Sequence, residues 1–323
     1  MKVLATLASI TALCLGANSA ALAQAAYPTK PVTIIAAFPP GGTVDLLARV
    51  LGQKLTEEWK QPVIVDNRPG ASGIVGSQHV AKASPDGYTL MVVPITHVTN
   101  SSLFKKVPYD PITDFTPISM LATSPIMLVV KNDFKAKNVG ELAAMAKANP
   151  GMLNCGSGGN GTSQHLACEL FKTMTQVDIK HVAYKGNAAA MTDVMGGQIE
   201  LLFDQMATAV PHVKGGRVRA LGVSTAKRSP AMPNVPTIAE SGVPGYEVNA
   251  WFGIVGPPGM PKDVIERINA SLRNALALPD VQKQLGDQGL ELVGSSPEDF
   301  RNTLKSDLVK WADVIKQAGV RID

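Results

Sequence analysis

An α/β protein of two lobes, each built on a doubly wound sheet with a hinge between them, is what this sequence predicts. Three observations carry that expectation. Short β-rich runs alternate with amphipathic helical spacings along most of the chain. Glycine-rich turns recur where a run gives way to a helix. The chain has 323 residues, 45% of them hydrophobic, enough to bury two cores.

Val32-Thr33-Ile34-Ile35-Ala36-Ala37-Phe38 reads as a strand, closed by Pro39-Pro40-Gly41-Gly42 and followed by the helical spacing Leu46, Leu47, Val50, Leu51, Leu55. Val63-Ile64-Val65 is a second strand, residues 70–73 a second glycine loop, 74–83 a helix and 89–93 a third strand. This β-α-β-α-β order implies a parallel sheet covered on both faces. The middle of the chain repeats the plan, with strands over 126–130, 153–155, 179–184 and 199–203. Helices are expected over 139–148, introduced by Asn138, over 162–174 and over 188–195. A strand over 219–224 precedes a stretch broken by Pro230, Pro233, Pro236, Pro244, Pro257, Pro258 and Pro261. One more strand, 251–255, and two amphipathic helices, 262–277 and 297–318, finish the chain. Comparable lengths flank the middle unit, so the simplest folding has both ends share lobe 1. Residues 24–124 with 225–323 then form lobe 1 and 125–224 lobe 2, with crossings near 96–124 and near Ser224.

Lys2, the apolar run 3–15 and Ala21-Leu22-Ala23 fit a signal peptide, residues 1–23, cut after Ala23. Thr6, Ser9 and Thr11 interrupt the apolar run, which argues against a retained anchor, and Cys14 follows Leu13 where a lipoprotein signal needs a small residue. The expectation is a periplasmic, soluble mature protein. The 30 basic and 26 acidic residues give a formal charge of +4, spread without a Lys/Arg-rich block, so nucleic acid is not an expected partner. After Cys14 leaves with the signal, Cys155 and Cys168 remain. A single local disulfide and two buried thiols are both open readings.

Three strand-to-helix turns stand out: residues 38–43, 70–73 and 156–163. Each would expose unpaired backbone N–H groups at a helix start, at the sheet edge where α/β proteins bind ligands, and such ends attract anions. Gly156, Gly158 and Gly161 also satisfy G-x-G-x-x-G, but the acid needed for a ribose, Asp178, falls before the strand 179–184 rather than after it. No G-x-S-x-G, P-loop or H-E-x-x-H pattern occurs, His79, His97, His165, His181 and His212 are scattered, and no third metal ligand joins His165 and Cys168. No catalytic residue, metal or cofactor is therefore expected. Asp204 ends the apolar run Leu201-Leu202-Phe203 and either meets a ligand or orients neighbouring amides. Lys185, after Tyr184, reads as a rim charge, and Arg68 lies near the second turn without forming a clear carboxylate clamp.

Tyr27-Pro28-Thr29-Lys30-Pro31-Val32 leading to Pro39-Pro40-Gly41-Gly42, then Asp66-Asn67-Arg68-Pro69-Gly70-Ala71-Ser72-Gly73, resembles the Bug (TctC-like) family, the extracytoplasmic solute receptors of tripartite tricarboxylate transporters. The likeness continues through Pro85-Asp86-Gly87-Tyr88-Thr89-Leu90, Gly158-Gly159-Asn160-Gly161-Thr162-Ser163-Gln164-His165-Leu166, Tyr184-Lys185-Gly186 and Val235-Pro236-Thr237-Ile238-Ala239-Glu240. The resemblance implies a type II periplasmic binding-protein fold, closure on a carboxylate and delivery to membrane permease subunits. Carried onto this chain, the implied ligand contacts are Phe38, Pro40, Gly41, Gly42, Thr43, Ser72, Gly73, Thr96, His97, Gly158, Thr162, Ser163 and Asp204. The expected ligand is a small organic acid or amino acid and the expected state a monomer. An exported sensory receptor, or an exported enzyme using the glycine loops for a nucleotide, are the rival readings.

Overall fold

The computed structural model describes residues 27–317, so the signal-peptide reading lies outside the described residues. β1 (Val32–Ala36), β2 (Val63–Asn67) and β3 (Thr89–Pro94) are parallel, with Val32 opposite Val63 and Thr33 opposite Thr89. Ile34, Ile35 and Ala36 are fully buried, as expected of a strand covered on both faces. α1 (Thr43–Trp59) joins β1 to β2, and α2 (Ile74–Ala81) joins β2 to β3. α3 (Thr96–Leu103) follows β3 directly.

β4 (Thr116–Lys131) ties the two lobes together. Its first part pairs with β9 (Asn249–Gly256) and β10 (Glu291–Leu292); from Ile126 onward it pairs with β7 (Leu201–Gln205) and β8 (Val218–Val223). Beyond β7 lie β5 (Asn154–Ser157) and β6 (Lys180–Ala183), parallel to one another, with β5 also parallel to β7. The strand order is β2-β1-β3-β9-β4-β7-β5-β6, with β8 and β10 both on β4. The parallel runs expected from the βαβ order are present as β2-β1-β3 and β6-β5-β7, and β4, β8, β9 and β10 add antiparallel pairs between and beside them. β9 returns from the second lobe antiparallel to both β3 and β4, so the centre breaks the βαβ pattern.

The helices of the second lobe are α4 (Val139–Ala148), α5 (Ser163–Thr175), α6 (Asn187–Gly196) and α7 (Met206–Lys214). Asn138 Oδ1 accepts from Glu141 N at 2.9 Å while Glu141 Oε2 accepts from Lys137 N at 2.7 Å, a reciprocal cap that starts α4 where the sequence places it. α8 (Lys262–Ala277), α9 (Pro279–Gly286) and α10 (Pro297–Gln317) close the chain. Among the described residues no helix is long and apolar enough to cross a membrane.

Residues 225–248 pack on second-lobe elements: Tyr246 OH donates to Ala167 O at 2.7 Å, and its ring lies against Phe171 and Phe203. Ser224 joins three segments, its N–H donating to Ile126 O and its Oγ accepting from Ile126 N, while its carbonyl accepts from Val248 N. Cys155 and Cys168 are buried free thiols, the second of the two readings left open by the sequence. The two lie close enough to share a hydrogen bond, and burial pushes the Cys168 thiol well above its ordinary range.

Candidate functional site

A cavity of about 220 Å³ lies between the lobes. From the first lobe come the β1–α1 turn (Phe38, Pro39, Pro40, Gly42, Thr43, Val44), the β3–α3 turn (Pro94, Ile95, Thr96) and Phe252 of β9. From the second come the start of α5 (Gly158, Thr162, Ser163, Gln164), the start of α6 (Lys185, Gly186, Asn187, Ala188, Ala189) and Gln205 at the end of β7. Four helices therefore begin at one cavity. The first-turn amides of a helix have no carbonyl one turn behind them. Gly42 and Gly186, the residues before α1 and α6, supply no capping side chain, so those amides stay available to a ligand. At α5 the Thr162 hydroxyl accepts from His165 N at 3.4 Å, which leaves the Ser163 and Gln164 amides at the cavity edge.

The lining carries one ammonium, Lys185, and no carboxylate. Its amides and hydroxyls are set by a relay that begins on a buried acid. Asn187 Nδ2 donates to Asp204 Oδ1 at 2.6 Å and to Gln205 Oε1 at 3.0 Å, and Gln205 Nε2 donates to Ser163 Oγ at 3.2 Å. Thr43 Oγ1 donates across the cleft to the same Gln205 Oε1 at 3.4 Å. Asp204 also accepts from Gln205 N at 2.9 Å and Thr208 Oγ1 at 2.7 Å. Burial pushes its pKa up to about 6 against those donors.

Eight of the thirteen contacts implied by the resemblance line this cavity, Phe38, Pro40, Gly42, Thr43, Thr96, Gly158, Thr162 and Ser163, as does Lys185. The other five do not, and each has a separate place. Gly41 shapes the turn at φ +91°, its N–H donating to Asp45 Oδ2 at 3.1 Å. Ser72 Oγ donates to Asn160 O at 2.8 Å, bridging the lobes. Gly73 backs onto the Phe38 ring. His97 is buried with Nε2 2.9 Å from Pro111 O, its ring edge-on to Phe115, and burial holds its pKa down to about 4. Asp204 sits beneath Asn187 and borders a different, more open groove with Gly41 and Asp45. Asp178 lies beside Gly151 at the amino end of β6, far from where a ribose acid would stand.

Sequence reasoning missed Gln164, Asn187 and Gln205. The sequence expects the glycine turn at 70–73 as one of three helix starts at the ligand, whereas the cavity uses the turn at 185–187. A strand-then-glycine signal did exist there in Tyr184-Lys185-Gly186, and Gly186 adopts φ +130°.

The model of the tripartite tricarboxylate transporter family receptor, TctC, matches residues 47–320. BugT of Bordetella pertussis is 33% identical over 300 residues, 92% of this chain and 91% of BugT. The solved structure of R. palustris Rpa4515 with adipate superposes with a TM-score of 0.89 at 37% identity, covering 91% of this chain and 99% of that one. MatC from Rhodopseudomonas palustris with bound malate gives 0.85 at 32% identity, over 90% of this chain and 100% of MatC.

Proposed function

The chain belongs to the tripartite tricarboxylate transporter receptor family, and we propose that it captures a small organic acid outside the cytoplasm and presents it to the permease of such a transporter. The observation that carries this reading is the convergence of four helix starts on a cavity with one ammonium and no carboxylate. Each helix start favours an anion by about 0.3–1 kcal/mol, and up to about 2 kcal/mol when partly buried. The volume lies below the range of drug-sized sites, about 300–1,000 Å³, and suits a small acid. Two relatives of known structure hold adipate and malate, both carboxylates. An amino acid fits less well, because no lining carboxylate faces an α-ammonium.

Binding works by closure. The acid bridges helix starts of both lobes and so favours the form in which the lobes touch. Bonds across the cleft already mark that form: Ser72 to Asn160, Thr99 Oγ1 to Gly161 O at 2.9 Å, and Thr43 to Gln205. The hinge in this reading runs through Pro125–Ile126 of β4 and through the Ser224–Val248 junction. Residues 225–248 move with the second lobe, because Tyr246 packs there.

A thermal-shift screen over dicarboxylates, hydroxy acids and amino acids tests the ligand class. An acid at about 100 times its Kd stabilises the folded state by about 2.7 kcal/mol. An organic acid should raise the midpoint and amino acids should not; amino acids alone doing so would reverse the assignment. Thr162→Ala with Ser163→Ala should weaken the same acid in calorimetry, and unchanged affinity would remove α5 from the site. Loss of uptake of that acid on deleting the chain tests delivery.

A further inference from the structure

The rings of His165 and His181 stack with centroids 3.7 Å apart and planes inclined by 15°, directly behind the loop that opens α5. Each ring holds that loop through a different bond. Gly161 N–H donates to His165 Nδ1 at 3.0 Å, which makes that nitrogen an acceptor and puts the ring proton on Nε2. His181 Nε2 lies 2.7 Å from Ser157 Oγ. Ser157 Oγ accepts from Gly159 N at 3.2 Å and also faces Gly159 O at 3.0 Å. Between these anchors Gly158 lines the cavity, while the carbonyls of Asn160 and Gly161 receive Ser72 and Thr99 from the other lobe.

The pair is built to be neutral. Burial holds His165 down to about 3 and His181 down to about 4, and Lys172 lowers both. The charged groups facing the rings are Glu169, with Oε1 3.7 Å from His165 Nε2, and Lys172, whose Nζ lies 2.8 and 2.9 Å from that carboxylate. Cys155, opposite His181 on the neighbouring strand, is a buried thiol, as is Cys168.

We propose that His165 and His181 are positioning residues for ligand capture: their stacked neutral rings set the loop 157–161 that the ligand and the opposite lobe both use. Protonating His165 Nδ1 turns the acceptor of Gly161 N–H into a second donor and places charge against the facing ring. The loop is then released and affinity falls in acid. The inference rests on the organic-acid reading of the cavity.

Hydrogen exchange followed by NMR on the mature chain, with adipate titrations by calorimetry, tests it in H165N and H165L. Asparagine keeps an acceptor where Nδ1 stood but does not titrate; leucine removes it. The Gly161 amide should exchange about tenfold faster or more in H165L, the scale of one lost buried hydrogen bond, and stay protected in H165N. Adipate affinity should fall by about the same factor in H165L and persist in H165N. Between about pH 5 and about pH 3, where a ring held down to about 3 takes up its proton, wild type should lose more affinity than H165N, since adipate's own titration is common to both. Should H165L not fold, the pH comparison with H165N decides alone. Equal Gly161 protection in H165L, or parallel losses of affinity in acid, would overturn the proposal. Exchange behaving as expected while adipate and every other acid fail to bind wild type would instead overturn the organic-acid reading.

Discussion

Gly161 adopts φ +75°, and a methyl group on its Cα would overlap Leu103 Cδ1 of the opposite lobe, a side chain only 2% exposed. Gly161→Ala therefore carries a left-handed backbone cost of about 1–2 kcal/mol and a wedge between the lobes. The wedge acts only on closure, so affinity for adipate in calorimetry should fall about tenfold, a further cost of about 1.4 kcal/mol in the closed form. A variant that lost stability but kept affinity would place the whole cost inside the second lobe. Asp204 gives a second test at this scale. Its folded pKa of about 6 lies above the unfolded value of about 3.9, so folding favours its protonated form. The stability it contributes is present below about pH 4 and is lost as pH rises through about 6. Asp204→Asn should flatten that fall in urea midpoints measured at about pH 4.5 and pH 7. Thr208 can reverse its bond to meet the new amide, since its hydroxyl has a second acceptor in Gln205 O.

Elements were legible where a local signal decided them. Asn138 and Glu141 close α4 reciprocally, and Asn138→Ala should cost about 1 kcal/mol of stability in a denaturant titration; no change would mean that packing alone fixes the helix start. The β1–α1 and β5–α5 turns announced themselves by glycine, and both reach the cavity. Other elements carried no such signal. β4 extends ten residues before the strand expected at Ile126, through Pro117 and Pro125, which argue against a strand by themselves. Register shifts at Pro117/Ser119 and Met120/Ala122 absorb the irregularity. α3 has no apolar stripe, because its buried face includes Thr99 and Asn100, bonded to Gly161 O and Ser72 O. Asn187 and Gln205 likewise belong to no motif. They enter the site only because β7 and α6 meet there, and Asp204, visible in sequence at the strand end, serves to aim them.

At the scale of the molecule, the proposed closure makes affinity depend on contacts between the lobes as well as on contacts to the ligand. Ser72 and Thr99 each give a hydroxyl to a carbonyl of the loop behind Gly158, and neither lines the cavity. A net hydrogen bond is worth about 0.5–1.5 kcal/mol, so the two together favour closure by about 1–3 kcal/mol. Ser72→Ala with Thr99→Val removes both hydroxyls while keeping the shape of each site. The free protein should melt almost unchanged, because the open form makes neither bond. Affinity for adipate should fall roughly tenfold, about 1.4 kcal/mol. The loss should appear in the dissociation rate measured by stopped flow, since the encounter with open lobes is untouched. If the association rate fell instead, these hydroxyls would be guiding the ligand inward, and the latch would have to be sought in Thr43 and Gln205, whose bond also spans the cleft.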